Sequence, residues 1–396
     1  MSMINNPTQP AAPEAAPDSP GAATKTHLGY LDSLRALAAI NVVMVHALDH
    51  VDRNSLRSTG FAHWFHTHCF GHQAVGLFIV LSGFCLMLPV AKGDGTLRGG
   101  AWNFFKKRAR RILPTYYLSL AVCLLLIGTV LNQKTGSPWD LTFPVTKLDL
   151  AAHLLLIQDA ISGAGAVAGK INYALWTVSV EWRIYFVFPL LVLAWRKIGA
   201  LRTTALAVAA GYVLLVLLRP TPLQTQIDGI SPEYLGLFAM GMLGAGITFS
   251  RDEALAGLRR RVPWVWVALA TTLLMVTLSY VKFFHDKVSI LDFFVGVWAM
   301  SLLIAAGYRS DTRLHRALSW KPLAFVGTFA YSIYVIHAPL LQLIWLYVVR
   351  PLRLTPNLGV AAVFGVFIPL VIAGAYIFFL ACERPFLSRP IALNTK

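Results

Sequence analysis

The chain has 396 residues, of which 57% are hydrophobic and 13% charged, with a mean hydropathy of +0.62 and a formal net charge of +16. That balance excludes a set of ordinary soluble domains and points to a polytopic membrane protein. The Lys and Arg residues fall in short clusters between apolar runs and not along one soluble face, which argues against a nucleic-acid partner.

Residues 1 to 26 are rich in Pro and Ala and lack an apolar core. They are expected to form a disordered cytoplasmic tail and not a cleaved signal peptide. Beyond them, a bilayer core of about 30 Å needs about 20 apolar residues per helix. Ten segments qualify, near 31–50, 73–91, 112–131, 175–195, 204–218, 232–249, 263–281, 290–307, 323–346 and 359–381. With a cytoplasmic N-terminus, the cytoplasmic segments hold 22 of the 34 Lys and Arg residues and the opposite side 10, with Arg35 and Arg183 inside helices. This asymmetry predicts both termini inside. The expected fold is all-α: a polytopic membrane helix bundle of about ten transmembrane helices, one domain over 27–390, and a short tail at 391–396.

The first span contains "LRALAAINVVMVH", residues 34 to 46. At about 100° per residue, eleven residues rotate to within about 20° of three full turns, so Arg35 and His46 share a face, roughly 16 Å apart along the axis. Arg35 could snorkel to the headgroups and His46 could bond a neighbouring carbonyl. A pair of costly intramembrane groups on one face points instead to function. The outer loop that follows holds His50, His63, His66, His68, Cys69 and His72. Spacings of two to four between histidines can suit zinc, but no paired set matches a recognised ligand motif and the loop is short, so no metal is expected. The four cysteines show no CxxC spacing and build no scaffold.

In the second span, "GLFIVLSGF" brings Ser82 and Gly83 to mid-membrane. The chain has no GxSxG, so Ser82 is taken as a substrate contact and not a nucleophile. Gly83 fits a close approach of a ligand or a helix. "FFKKRARRILPTYY", 104 to 117, sets a basic cluster at the cytoplasmic entrance of the third span, with Pro114 in its first turns. Such a cluster can be a simple positive-inside anchor. Arg108 and Arg111, three apart, can equally bracket an anionic group such as the phosphates of a nucleotide-bearing donor.

The long loop 132–174 contains "ISGAGAVAGK", which fails the phosphate-binding pattern and reads as a flexible loop. The fourth span, "LWTVSVEWRIYFVFP", carries Glu181, Arg183 and Tyr185. Glu181 and Tyr185, four apart, share a face. Glu181 is expected near the depth of His46, to orient its imidazole or hold a proton, or else to form a charge pair with a cation. Arg183 is read as structural. "GMLGAG", 241 to 246, signals close helix packing, and "FAYSIYVIHAP" adds Tyr331, Tyr334 and His337 to the ninth span.

Taken together these motifs resemble the acyltransferase family 3 of integral membrane proteins, which move acyl groups from coenzyme A onto sugars and other hydroxyl acceptors. The likeness runs from about Leu31 to Pro385. It rests on Arg35 and His46 with ten residues between; on Phe78 to Phe84, with Leu77 where an aromatic is usual; on Arg108, Arg111 and Pro114; on Trp176, Ser179, Glu181 and Tyr185, with Thr177 where a serine is usual; on "YSIYVIH"; and on the closing Glu383 to Pro385. The resemblance implies His46 as general base, with Arg35 holding polar parts of the donor or a carbonyl oxygen. It implies Arg108 and Arg111 on the phosphates of acyl-CoA, Glu181 orienting or charge-balancing His46, and Tyr185 as proton relay or transient acyl carrier. Ser82, Tyr331 and His337 would contact substrate.

The implied co-substrate is acyl-CoA, acetyl-CoA foremost, with no permanently bound cofactor. The implied acceptor is a surface or exported glycan, often lipid-linked, at a bacterial inner membrane; a small hydroxylated natural product is the other acceptor class. Many relatives carry an added extracytoplasmic hydrolase-like domain. With about fifteen residues after its last predicted span, this chain is expected to lack one, so that either the membrane domain completes transfer or a separate extracytoplasmic protein takes the acyl group. A proton-coupled transporter or flippase is the competing reading, because buried Arg, His and Glu also describe proton relays. No inverted repeat supports it.

Overall fold

The structure is a computed structural model that describes residues 28–50, 60, 64, 71–161, 167–281, 283 and 287–387. All regular structure among the described residues is helical. Among the described residues, nine helices are long and apolar enough to cross a membrane, and a pair bent by 72°, Glu253–Arg261 with Trp264–Ser279, makes a tenth when counted as one span. The number agrees with the hydropathy reading.

In chain order the principal helices are α1 (Gly29–Leu48), α2 (Gly71–Lys92), α3 (Gly100–Thr129), α4 (Lys147–Leu154), α5 (Gln158–Ile161), α6 (Trp176–Ile198), α7 (Ala200–Leu218), α8 (Gln224–Ile230), α9 (Tyr234–Phe249), α10 (Glu253–Arg261), α11 (Trp264–Ser279), α12 (Val288–Gly307), α13 (Arg313–Leu318), α14 (Lys321–Gly327), α15 (Ala330–Ile344), α16 (Pro356–Ala362) and α17 (Ile368–Phe378). Helix α1 defines two ends of the bundle: Arg35 lies toward one, His46 toward the other. The chain alternates between these ends through its spans.

Helix α9 is the axis of the bundle. Lipid tails are as apolar as leucine, so membrane helices associate through close van der Waals packing, which small residues permit. A Cβ added at Gly83 of α2 would lie 2.0 Å from the Phe238 carbonyl oxygen of α9, and one added at Gly241 of α9 would lie 2.0 Å from that of Val80. The contact is reciprocal, so the glycine at the second-span motif serves a helix and not a ligand. Gly246, from the same small-residue run, lies under Trp195. Gly83→Ala or Gly241→Ala is expected to cost at least about 1–3 kcal/mol by overpacking. Thermal unfolding in detergent should show the loss, while Gly257→Ala, with nothing within 4 Å of the new methyl group, should be neutral or stabilising.

Three boundaries depart from the sequence reading. Helix α3 begins at Gly100, well before residue 112, because the chain turns at Gly99 and Gly100, both with positive φ. The basic cluster is therefore helical, and Pro114 lies deep in the helix instead of in its first turns. The predicted span 323–346 is broken after Gly327, where a Cβ would fall 1.8 Å from the Asp32 carbonyl oxygen of α1. The last two spans contain π turns at Trp345–Val349, Val363–Phe367 and Phe379–Glu383. Each is followed, after one residue, by a proline: Pro351, Pro369 and Pro385. Proline cannot donate to the preceding turn and its ring crowds the carbonyl four residues back, and a wider turn relieves that crowding.

Residues 130–161 and 167–175 cap the His46 end. A capping box of Thr146 and Asp149 starts α4, and the Tyr116 and Tyr117 hydroxyls donate to the carbonyls of His153 and Leu154. Residues 162–166, within the predicted flexible loop, lie outside the described residues. His153 is buried, its Nδ1–H donating to the Asp149 carbonyl at 2.8 Å. Burial holds its proton affinity below that of a free histidine. The unfolded chain therefore binds the extra proton, and the stabilisation present above about pH 6.5 is lost as pH falls through that value. Protection factors of the α4 amides, which correct for the intrinsic pH dependence of exchange, should fall from pH 7 to pH 5, and His153→Gln should flatten that dependence.

Candidate active site

A cavity of about 270 Å³ opens toward the Arg35 end. It is built from four long helices, each contributing side chains at helical spacing. Helix α2 supplies Phe78, Ser82 and Cys85, which fall on one face at intervals of four and three. Helix α6 supplies Thr177, Glu181 and Tyr185, four apart in turn. Helix α15 supplies Tyr331 and Tyr334, and α3 supplies Arg108 and Arg111. Arg35 reaches in from α1 and Glu383 from the final π turn.

The polar contacts form two groups. Arg35 donates to Asp32 Oδ1 at 2.5 Å and to Cys85 Sγ at 3.0 Å. Tyr185 donates to Glu181 Oε1 in a short hydrogen bond, and its hydroxyl lies 3.1 Å from Ser82 Oγ. Glu383 accepts from Ser332 through one oxygen at 2.5 Å, while its other carboxylate oxygen and Arg108 Nε are buried with no partner among the described residues. Three guanidinium groups and two carboxylates line the chamber; Arg35 is already paired with Asp32, which leaves Arg108 and Arg111 as its cationic wall. In a low-dielectric site, guanidinium forks suit phosphate and carboxylate groups.

Seven of the nine predicted site residues thus meet in one chamber: Arg35, Ser82, Arg108, Arg111, Glu181, Tyr185 and Tyr331. His46 and His337 meet elsewhere. Their rings stack at 5.4 Å with an interplanar angle of 21°. His337 is fully buried, and its Nδ1–H donates to the Tyr334 carbonyl at 2.7 Å, which leaves Nε2 as the basic nitrogen, without a partner among the described residues. His46 Nδ1 faces Asp49 Oδ2 at 3.4 Å, and its ring tilts against Tyr173 at 5.1 Å. Tyr334 stands between the two groups, its ring 5.7 Å from Phe78 and 5.8 Å from His337. Its hydroxyl bonds Thr177 in a short hydrogen bond and donates to the Ala174 carbonyl at 2.8 Å.

The expected pairing of Glu181 with His46 therefore takes another form. The carboxylate beside His46 is Asp49, and Glu181 is engaged with Tyr185. Arg183, read as structural, makes a two-pronged ion pair with Asp159 and not with Glu181. Of the outer-loop histidines, His63, His66, His68 and Cys69 lie outside the described residues. His50 donates to the His46 carbonyl at 2.8 Å, and His72 bonds Asp292 at 2.9 Å. Asp32, Asp49, Cys85 and Tyr173 were not singled out from sequence. Asp32 and Asp49 each lie three residues from a residue that was, a spacing that makes neighbours on a helix.

The bundle thus defines an integral membrane protein with an arginine-lined internal chamber beside a stacked histidine pair, of which His337 is buried and His46 partly exposed. Residues 28–380 match the family described as an acyltransferase domain. The chain belongs to this family, acyltransferase family 3. It is similar to YrhL of Bacillus subtilis, provisionally named a peptidoglycan O-acetyltransferase, with 25% identity over 341 residues, 79% of this chain and 48% of that protein. It is 28% identical over 195 residues to nodulation protein 10 of Rhizobium leguminosarum bv. viciae, covering 46% of this chain and 49% of that one. It is 22% identical over 342 residues to the peptidoglycan O-acetyltransferase OatA of Listeria monocytogenes, covering 81% and 50%. The chain spans about half the length of these relatives. No solved structure matches it.

Proposed function

We propose that the chain transfers an acetyl group from cytosolic acetyl-CoA to a hydroxyl of a surface or exported glycan at the bacterial inner membrane, with His46 as general base. The observation that carries this reading is the arginine-lined chamber ending at Tyr334, with the His46–His337 stack directly behind that ring. Arg108 and Arg111 hold the phosphates of the donor, and its long pantetheine arm carries the thioester toward the histidines. Arg35 lies roughly 16 Å from His46 along the helix axis. That distance suits a grip on the polar part of the donor and not on the reacting carbonyl.

The acceptor oxygen attacks the thioester carbon while its proton passes to His46 Nε2. The carbon–sulfur bond then breaks, and the CoA thiolate takes up that proton to leave as free CoA beside the new ester. Asp49, facing Nδ1, favours the tautomer with a free Nε2. The relatives named for peptidoglycan O-acetylation support the acceptor class.

The test is release of free CoA from acetyl-CoA by the purified protein in the presence of peptidoglycan strands or lipid-linked glycans. Acceptor-dependent release supports the proposal. A proton-gradient response without thioester cleavage would replace it with a transporter.

A further inference from the structure

The opposite end of the bundle holds a second cavity, of about 490 Å³. Charged groups line it, and most are already satisfied by one another. Arg219 Nε bonds Asp228 at 2.8 Å and its Nη1 donates to Ser289 Oγ at 2.9 Å. His72 bonds the buried Asp292, and Asp159 is held by Arg183. Among the buried carboxylates that line it, Glu233 is the exception. Its side chain is only 6% exposed, it lines the cavity, and its Oε2 has no partner among the described residues. A buried carboxylate oxygen without a donor is costly and asks for one from outside.

The chemistry of that missing donor follows from the surroundings. An anion would meet Asp159, Asp228, Glu233 and Asp292, while a cation would meet Arg219, Lys287 and His72. A neutral molecule rich in hydroxyl groups can give hydrogen bonds to the carboxylates and take them from the cations at once. Trp176 adds a flat apolar surface on the wall, suited to the C–H face of a pyranose ring, as amphipathic aromatics are at mixed surfaces.

Position connects this cavity to the chamber. His72 lines the second cavity and Val75, one turn along α2, lines the first; Trp176 lines the second and Thr177, the next residue, the first. Tyr173, three residues before Trp176, lies against His46. The segment 173–177 therefore touches both cavities and the histidine pair.

We propose that the second cavity is the acceptor site, binding a sugar ring with Glu233 accepting hydrogen bonds from its hydroxyls and Trp176 covering its apolar face. The assignment rests on the acyl-transfer reading for its purpose. Its test does not depend on turnover: equilibrium binding of soluble peptidoglycan glycan strands to the purified full chain in nanodiscs, with no acyl-CoA added. Glu233→Gln, close in size, should weaken binding about tenfold or more, the effect of losing charge-assisted hydrogen bonds. Trp176→Ala should do the same from the other wall, and Arg111→Ala, in the donor chamber, should leave binding unchanged. Size-exclusion profiles establish that each variant is folded. Wild-type protein that binds no glycan, or folded variants at Glu233 and Trp176 that bind as wild type does, would overturn the acceptor site. Failure of CoA release with intact glycan binding would instead count against the transfer chemistry.

Discussion

His46→Ala is expected to lower acceptor-dependent CoA release about a hundred- to ten-thousand-fold, the usual weight of a positioned general base. The KM for acetyl-CoA should barely move. Arg108 and Arg111, proposed to hold the donor, lie toward the other end of α1, and His46 does not line their chamber. His337→Ala separates two roles for the stack. If His337 only buttresses the ring of His46, the variant should lose less activity than His46→Ala, and the double variant should lose no more than His46→Ala alone, because residues acting as one unit are not additive. Steady-state kinetics at matched protein levels read both outcomes. Equal turnover by wild type and His46→Ala would remove the imidazole from the chemistry.

Arg108→Ala and Arg111→Ala should each raise the KM for acetyl-CoA about tenfold or more with kcat little changed at saturating donor. A charge-assisted hydrogen bond to phosphate contributes about 1.5–3 kcal/mol, and about 1.4 kcal/mol is a factor of ten. If the two guanidinium groups bracket one phosphate, the double variant departs from additivity by about 0.5–3 kcal/mol. Additive effects would mean that the arginines serve separate groups, or only anchor α3. Lysine at either position should restore part of the loss, since it keeps the charge and loses the planar fork.

Much of this site was legible because helical spacing is a local property. Arg35 and His46 do lie on the inward side of one helix, and the intervals within α2 and α6 bring Ser82, Glu181 and Tyr185 to a common wall. What spacing cannot supply is what other helices insert between residues on one face. Tyr334 comes from α15, some three hundred residues from Arg35, and it divides the face of α1 into a chamber side and a histidine side. The same gap in information misassigned Glu181. Depth in the bilayer was inferable from its position in the span, but the rotation of α6 that turns Glu181 and Tyr185 together into the chamber and away from His46 depends on tertiary packing. Asp49 was overlooked for a different reason. It lies within the predicted first span, 31–50, but a reading built on the spacing of Arg35 and His46 ends at the histidine, three residues short of it.

The π turn at Phe379–Glu383 has a consequence for how the chamber acquires its acid. Such a turn takes one residue more to close than an α turn, so whatever follows is advanced by about 100° around the axis. Glu383 sits on the last residue of that turn, against Ser332 and facing the guanidinium groups. Its direction is thus fixed by a count of residues as much as by its own identity. Removal of a single residue such as Ala381 would swing the carboxylate out of the chamber while every other lining side chain kept its place in the sequence.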